Sequence, residues 1–76
     1  AWTARAETIM AQLSGRTPVA LRNTFSQWPL VSAPMAESMT GASRAAVQRN
    51  LNWMEKRGLI REVTGEGRYR MWRAAS

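Results

Sequence analysis

The stretch from Ser43 to Arg57 reads Ser-Arg-Ala-Ala-Val-Gln-Arg-Asn-Leu-Asn-Trp-Met-Glu-Lys-Arg, and the organisation of the chain follows from it. Val47, Leu51 and Met54 are spaced i, i+4 and i+7, so they form one apolar stripe on a helix that turns by about 100° per residue. Ser43 is a favoured N-cap residue, and Gly58 is a common helix terminator. The pattern predicts a helix over about 43–57 whose stripe packs on a core.

The face opposite this stripe combines side chains suited to reading DNA. Arg forms paired hydrogen bonds with guanine, and Gln or Asn does the same with adenine, in the major groove. Small Ala45 lets the backbone come close, while Ser43 and Arg44 lie at the positively polarised helix start, where phosphate is favoured. A solvated helix face is the alternative interpretation. The candidate DNA-binding residues on this helix are Ser43, Arg44, Ala45, Gln48, Arg49 and Asn52.

The residues before this helix predict a shorter helix and a tight turn. Ser32-Ala33-Pro34 combines an N-cap residue with an early proline, which favours a helix over about 33–39. Thr40-Gly41-Ala42 then provides a glycine-containing turn. A short helix, a glycine turn and a capped longer helix are typical of the helix-turn-helix motif.

The residues after the helix predict a β-hairpin, or wing, over about 60–73 with its tip at Gly65-Glu66-Gly67. Strict alternation in the return strand places Tyr69 and Met71 on one face and Arg68, Arg70 and Trp72 on the other. We expect Arg68 and Arg70 to contact the DNA backbone or minor groove, with Arg61 and Arg73 as weaker candidates beside them. The alternative is that these cations protect a strand edge from aggregation.

The first part of the chain predicts supporting helices. Apolar residues recur at helical spacing over about 3–14, and Gly15 would cap the end of that helix. Thr17 and Pro18 would begin a second helix, over about 18–28, with Trp28 at the end of its apolar stripe. We expect Trp2 and Trp28 to lie in the core or at its rim. Leu30-Val31 is long enough for a strand of two or three residues, and in a winged-helix arrangement a strand at this point pairs with the wing.

Composition favours binding over catalysis. The chain has 76 residues and a net charge of +6, and ten of its eleven cations are Arg, the side chain best suited to binding phosphates and base edges through two hydrogen bonds. It contains no Cys, His or Asp. Of the side chains most used in catalysis and metal binding, only scattered glutamates remain. We therefore expect no enzyme, no cofactor and no metal. No apolar run is long enough to suggest a membrane span, and we expect a soluble, cytoplasmic protein.

With these elements in place, the C-terminal half resembles winged helix-turn-helix domains of bacterial regulators. The run over 32–43 resembles their entry helix and turn, and Ser43-Arg44-Ala45-Ala46-Val47 resembles the start of their recognition helices. Residues 58–65, followed by Arg68-Tyr69-Arg70, resemble the wing of small bacterial domains in little-characterised proteins, and are similar to the winged-helix segment of many Fic proteins.

The resemblance implies a mostly helical α+β fold, with about four helices and a C-terminal two-stranded wing. It also implies sequence-specific binding to double-stranded DNA in bacterial transcriptional regulation, at the nucleoid. Residues 1–76 would then form one domain, excised from a longer protein.

A second hypothesis keeps the same fold but assigns it to protein contacts. Trp53 lies between the apolar and polar faces of its helix, and with Trp72 it could form a hydrophobic patch for a homodimer or another domain of the parent chain. Stacking of bases on these rings, as in single-strand binding proteins, is a further alternative.

Overall fold

The computed structural model describes residues 1–63 and 70–75. Within these residues the chain forms an α+β fold, mostly helical, with a small antiparallel sheet, which confirms the predicted fold class. No described helix has the length and apolar character needed to cross a membrane. The elements are α1 (Trp2–Met10), α2 (Arg16–Gln27), β1 (Val31–Ser32), α3 (Ala33–Thr40), α4 (Arg44–Lys56), β2 (Ile60–Glu62) and β3 (Met71–Ala74).

The junction between α1 and α2 differs from the prediction. Helix α1 ends at Met10, because the chain tightens into a turn in which the Leu13 amide donates to the Met10 carbonyl at 2.9 Å. Leu13 still packs against the core, which explains why its helical spacing was misleading. Gly15 is the N-cap of α2 and Thr17 lies inside the helix, so both predicted capping roles were wrong. Pro18 is tolerated there because first-turn amides have no partner within the helix.

Trp28 was wrongly predicted to end the buried stripe of α2. The helix stops at Gln27, and Trp28 has extended backbone angles, φ −118° and ψ 133°. Pro29 explains this change, because a proline disfavours helical geometry in the residue before it. Trp28 consequently leaves the stripe and is 46% exposed.

The helix-turn-helix formed by α3 and α4 is present where the sequence predicts it. Ser32 caps α3, because its Oγ accepts from the Met35 amide at 3.2 Å. Gly41 ends α3 with φ 72°, in the left-handed region that glycine adopts most readily, and its amide donates to the Glu37 carbonyl at 2.8 Å. These contacts set a sharp turn between the two helices.

The sheet contains the two wing strands, β2 and β3, and a third strand, β1. Its strand order is β1-β3-β2, so the predicted short strand near Leu30-Val31 does pair with the wing, in the register Val31 to Trp72. This third strand makes β3 central, and Trp72 is only 1% exposed. Trp72 is therefore not available for the surface patch that the protein-contact hypothesis assigned to it. The predicted hairpin tip at Gly65–Gly67 lies outside the described residues.

Helix α1 closes one side of the core. The Trp2 indole Nε1 donates to the Leu59 carbonyl at 2.7 Å, and its ring centroid lies 6.4 Å from that of Phe25. The Arg5 guanidinium donates to the carbonyls of Gly58 and Ala75. Trp2 is half-buried, as predicted for a residue at the core rim. The helix thus ties the end of α4 to the end of the sheet.

Candidate nucleic-acid interface

Helix α4 is held by its apolar stripe and presents the opposite face outward. Val47, Leu51 and Met54 are fully buried. On the other side Ala45, Arg49 and Asn52 are exposed and Gln48 is half-buried. The structure therefore brings the predicted base-contacting residues together on one accessible face.

Two amides on this face form a hydrogen bond with each other. The Nε2 of Gln48 donates to the Oδ1 of Asn52 at 3.0 Å, one turn along the helix. Such i,i+4 pairs restrict the rotamers of both side chains. Three groups take no part in this hydrogen bond: the Gln48 carbonyl oxygen, the second Gln48 N–H and the Asn52 amino group. The pair can therefore still donate to and accept from a base edge.

The start of α4 is capped and carries an exposed cation. The Ser43 Oγ accepts from the Ala46 amide at 3.1 Å, which confirms the predicted N-cap. The Arg44 side chain is 88% exposed, and its Nε lies 3.7 Å from Glu37 Oε2 on α3. A contact this exposed contributes under about 1 kcal/mol and is easily exchanged for a phosphate. Arg44 is therefore available at the helix start, next to the turn.

A polar cleft beside α4 adds a residue that the sequence analysis missed. The cleft has a volume of about 330 Å³, and Arg49 and Asn50 of α4 line it together with Arg16 of α2. Arg16 and Arg49 are exposed, and neither makes an ion pair with any described residue. Asn50 bonds back to its own helix, with its Nδ2 2.8 Å from the Ala46 carbonyl. Arg16 had no recognisable signal in the sequence, because only the packing of α2 on α4 brings it close.

The wing arginine Arg70 is engaged by a carboxylate. Its Nε and Nη2 donate to the two oxygens of Glu62 at 3.1 and 3.0 Å, and its guanidinium carbon lies 4.8 Å from the centroid of the Trp72 ring. The hydrogen bond with Glu62 raises the pKa of Arg70 above its ordinary value. Arg70 would have to exchange or share this partner to contact a phosphate. Arg68, the other predicted wing contact, lies outside the described residues.

The hydrophobic patch predicted from Trp53 and Trp72 does not form. Trp72 is buried in the core, so it cannot contribute to a surface. Trp53 is half-buried against the core, and the Arg57 guanidinium carbon lies 4.5 Å from the centroid of its ring. Trp72 therefore cannot take part in a protein contact or in base stacking. Both hypotheses, as formulated for Trp53 and Trp72 together, are wrong.

The described residues contain no cluster of three His, Cys, Asp or Glu side chains that could hold a metal ion. Comparison with known families gives a match between residues 20–74 and the HTH DNA binding domain, which covers the last two thirds of α2 and everything from β1 to β3. No curated protein matches the chain significantly. Because the family match spans most of the molecule and includes both helices of the motif, the chain belongs to the HTH DNA binding domain family, whose description indicates DNA binding.

Proposed function

We propose that this domain binds double-stranded DNA with sequence preference, as the DNA-reading part of a bacterial transcription regulator. Helix α4 would enter the major groove, with Gln48, Arg49 and Asn52 toward the base edges. Ser43 and Arg44 would contact phosphate at the helix start, and Ala45 would allow close approach. The wing, through Arg68 and Arg70, would follow the adjacent backbone.

The observation that carries this proposal is the outward face of α4. Its exposed side chains are amides and a guanidinium, which suit base recognition, while the buried stripe fixes the helix against the core. The cleft next to it supports a phosphate position, because Arg16 and Arg49 approach it from two different helices without a described acidic partner. A phosphate contact at this cleft is the alternative role of Arg49 within the same proposal.

The first experiment measures affinity for a fluorescent duplex as a function of salt. About four phosphate contacts predict a log-log slope of about −4, because each neutralised phosphate releases close to one counterion. A slope near zero would contradict the proposal. Amide chemical shifts recorded in the same titration should move at residues 43–52 and reverse when salt is added.

Variants separate base reading from phosphate contact. After selection of a preferred site, Gln48→Ala should reduce the preference over a random duplex by about fivefold to a hundredfold, as expected for a lost base contact. Arg44→Gln should weaken both duplexes alike and make the salt slope shallower by about one unit. Arg57→Gln removes the same charge about 20 Å further along the helix and is the matched control. Equal effects of Arg44→Gln and Arg57→Gln would contradict the proposed placement of α4.

A further inference from the structure

A groove outside the proposed DNA-binding face is lined mainly by apolar residues. It has a volume of about 410 Å³ and lies where the end of α2 meets β3. None of its described lining residues belongs to α4, so its occupant need not compete with DNA for that helix. We name it the Trp28 groove, and its described lining consists of Phe25, Trp28, Pro29, Leu30, Arg73 and Ala74.

The Trp28 groove exposes large side chains that a small domain would ordinarily bury. Trp28 is 46% exposed and Leu30 is 45% exposed, while Phe25 beneath them is almost fully buried. Pro29 keeps Trp28 in an extended conformation, so the indole cannot continue the buried stripe of α2. Adjacent exposed apolar residues with an aromatic anchor are typical of protein-binding surfaces.

The charges at the groove favour an acidic occupant. Arg73 lines the groove and stands directly opposite Arg61 in the β2–β3 register. Both are exposed, and neither forms an ion pair with another described residue. Like charges in directly opposed strand positions repel each other, so an added carboxylate would relieve this repulsion. The described lining contains no carboxylate of its own.

We propose that the Trp28 groove binds a segment of another protein in which apolar anchor residues are flanked by carboxylates. The apolar residues would pack on Trp28 and Leu30, and a carboxylate would pair with Arg73. A second copy of the chain fits less well, because a symmetric contact would bring two copies of the Arg61–Arg73 pair together. Duplex DNA also fits less well, since Trp28 and Leu30 offer nothing to a phosphate. This proposal stands independently of DNA binding.

The test is an amide and indole chemical-shift titration with short peptides of the form Glu-Glu-X-X-Glu-Glu, in which X is Leu, Phe or Trp. Two sets of control peptides are matched to these. In one set Lys replaces the acidic residues, and in the other Ser-Ser replaces the apolar residues. The acidic apolar peptides should shift Trp28, Leu30 and Arg73 in a saturable way. Trp28→Ala should weaken this binding by more than about tenfold, as for an aromatic anchor, and Arg73→Gln by about two- to fivefold.

Val19→Ala is the matched protein control, because Val19 is 45% exposed on α2 but does not line the groove. It should leave peptide affinity unchanged, and a dispersed amide spectrum must show that each variant is folded. The absence of groove shifts with every acidic peptide would overturn the proposal. Equal binding of the Lys peptides would overturn the proposal that the groove prefers an acidic segment. Groove shifts produced by concentrating the protein alone, or by duplex DNA, would assign the groove to a second copy or to DNA instead.

Discussion

Replacing Trp72 or Trp28 gives a direct test of which indole holds the fold together. Trp72 is 1% exposed and Trp28 is 46% exposed. From the sequence, Trp28 was expected in the core or at its rim, and Trp72 was considered for a surface patch. Removing a fully buried Trp costs about 3 to 5 kcal/mol through lost burial and the cavity left behind. Trp28 buries only about half its surface, roughly 100 Å², and leaves no enclosed cavity, so Trp28→Ala should cost about 2 kcal/mol.

Urea unfolding followed by far-ultraviolet circular dichroism measures this difference without relying on the fluorescence of the replaced ring. With a slope of about 1 kcal/mol per molar urea for a small domain, the two midpoints should differ by about 2 M. A chain of this length has roughly 4 to 11 kcal/mol of stability, so Trp72→Ala could leave too little for a folded baseline. The matched pair Trp72→Phe and Trp28→Phe then tests the same ranking. A midpoint that falls as far for the Trp28 variants as for the Trp72 variants would refute the assignment of the core.

Two further predictions concern the turn and the wing. Gly41→Ala should lower the free energy of unfolding by about 1 to 2 kcal/mol in urea titrations, because its φ of 72° strains a side chain although no atom obstructs the new Cβ. Gly41→Asn should cost less, and an equal loss would contradict a conformational cause. Glu62→Gln should free Arg70 and steepen the salt slope of DNA binding by about one unit. Glu7→Gln removes the same charge from a contact between the exposed Glu7 and the largely buried Arg22, 3.9 Å apart, and an equal change there would show only a general charge effect.

Local signals in the sequence were sufficient to predict the helix-turn-helix. The caps Ser32 and Ser43, the glycine at position 41 and the stripe of α4 each depend on neighbours within a few residues, and the structure confirms all of them. The same local pattern predicted which face of α4 points outward. Whether that face reads DNA bases remains a prediction from side-chain chemistry.

Three features depended on contacts between distant residues and could not be read from local pattern. Trp72 is buried because β1 pairs with β3 and makes it a central strand, whereas alternation alone only relates Trp72 to its neighbours. Arg16 reaches the cleft beside Arg49 only because α2 packs near α4. Arg70 is engaged because the register of the wing brings Glu62 within hydrogen-bonding distance.

The sequence by itself therefore determined the helices of the motif and the chemistry of their surfaces, since backbone capping and helical spacing act over one or two turns. Tertiary structure decided which tryptophan became core, which arginine kept an acidic partner and where the Trp28 groove opened. The physical reason is that burial and charge pairing depend on the whole set of neighbours around a side chain, and strand pairing and helix packing supply those neighbours from distant parts of the chain.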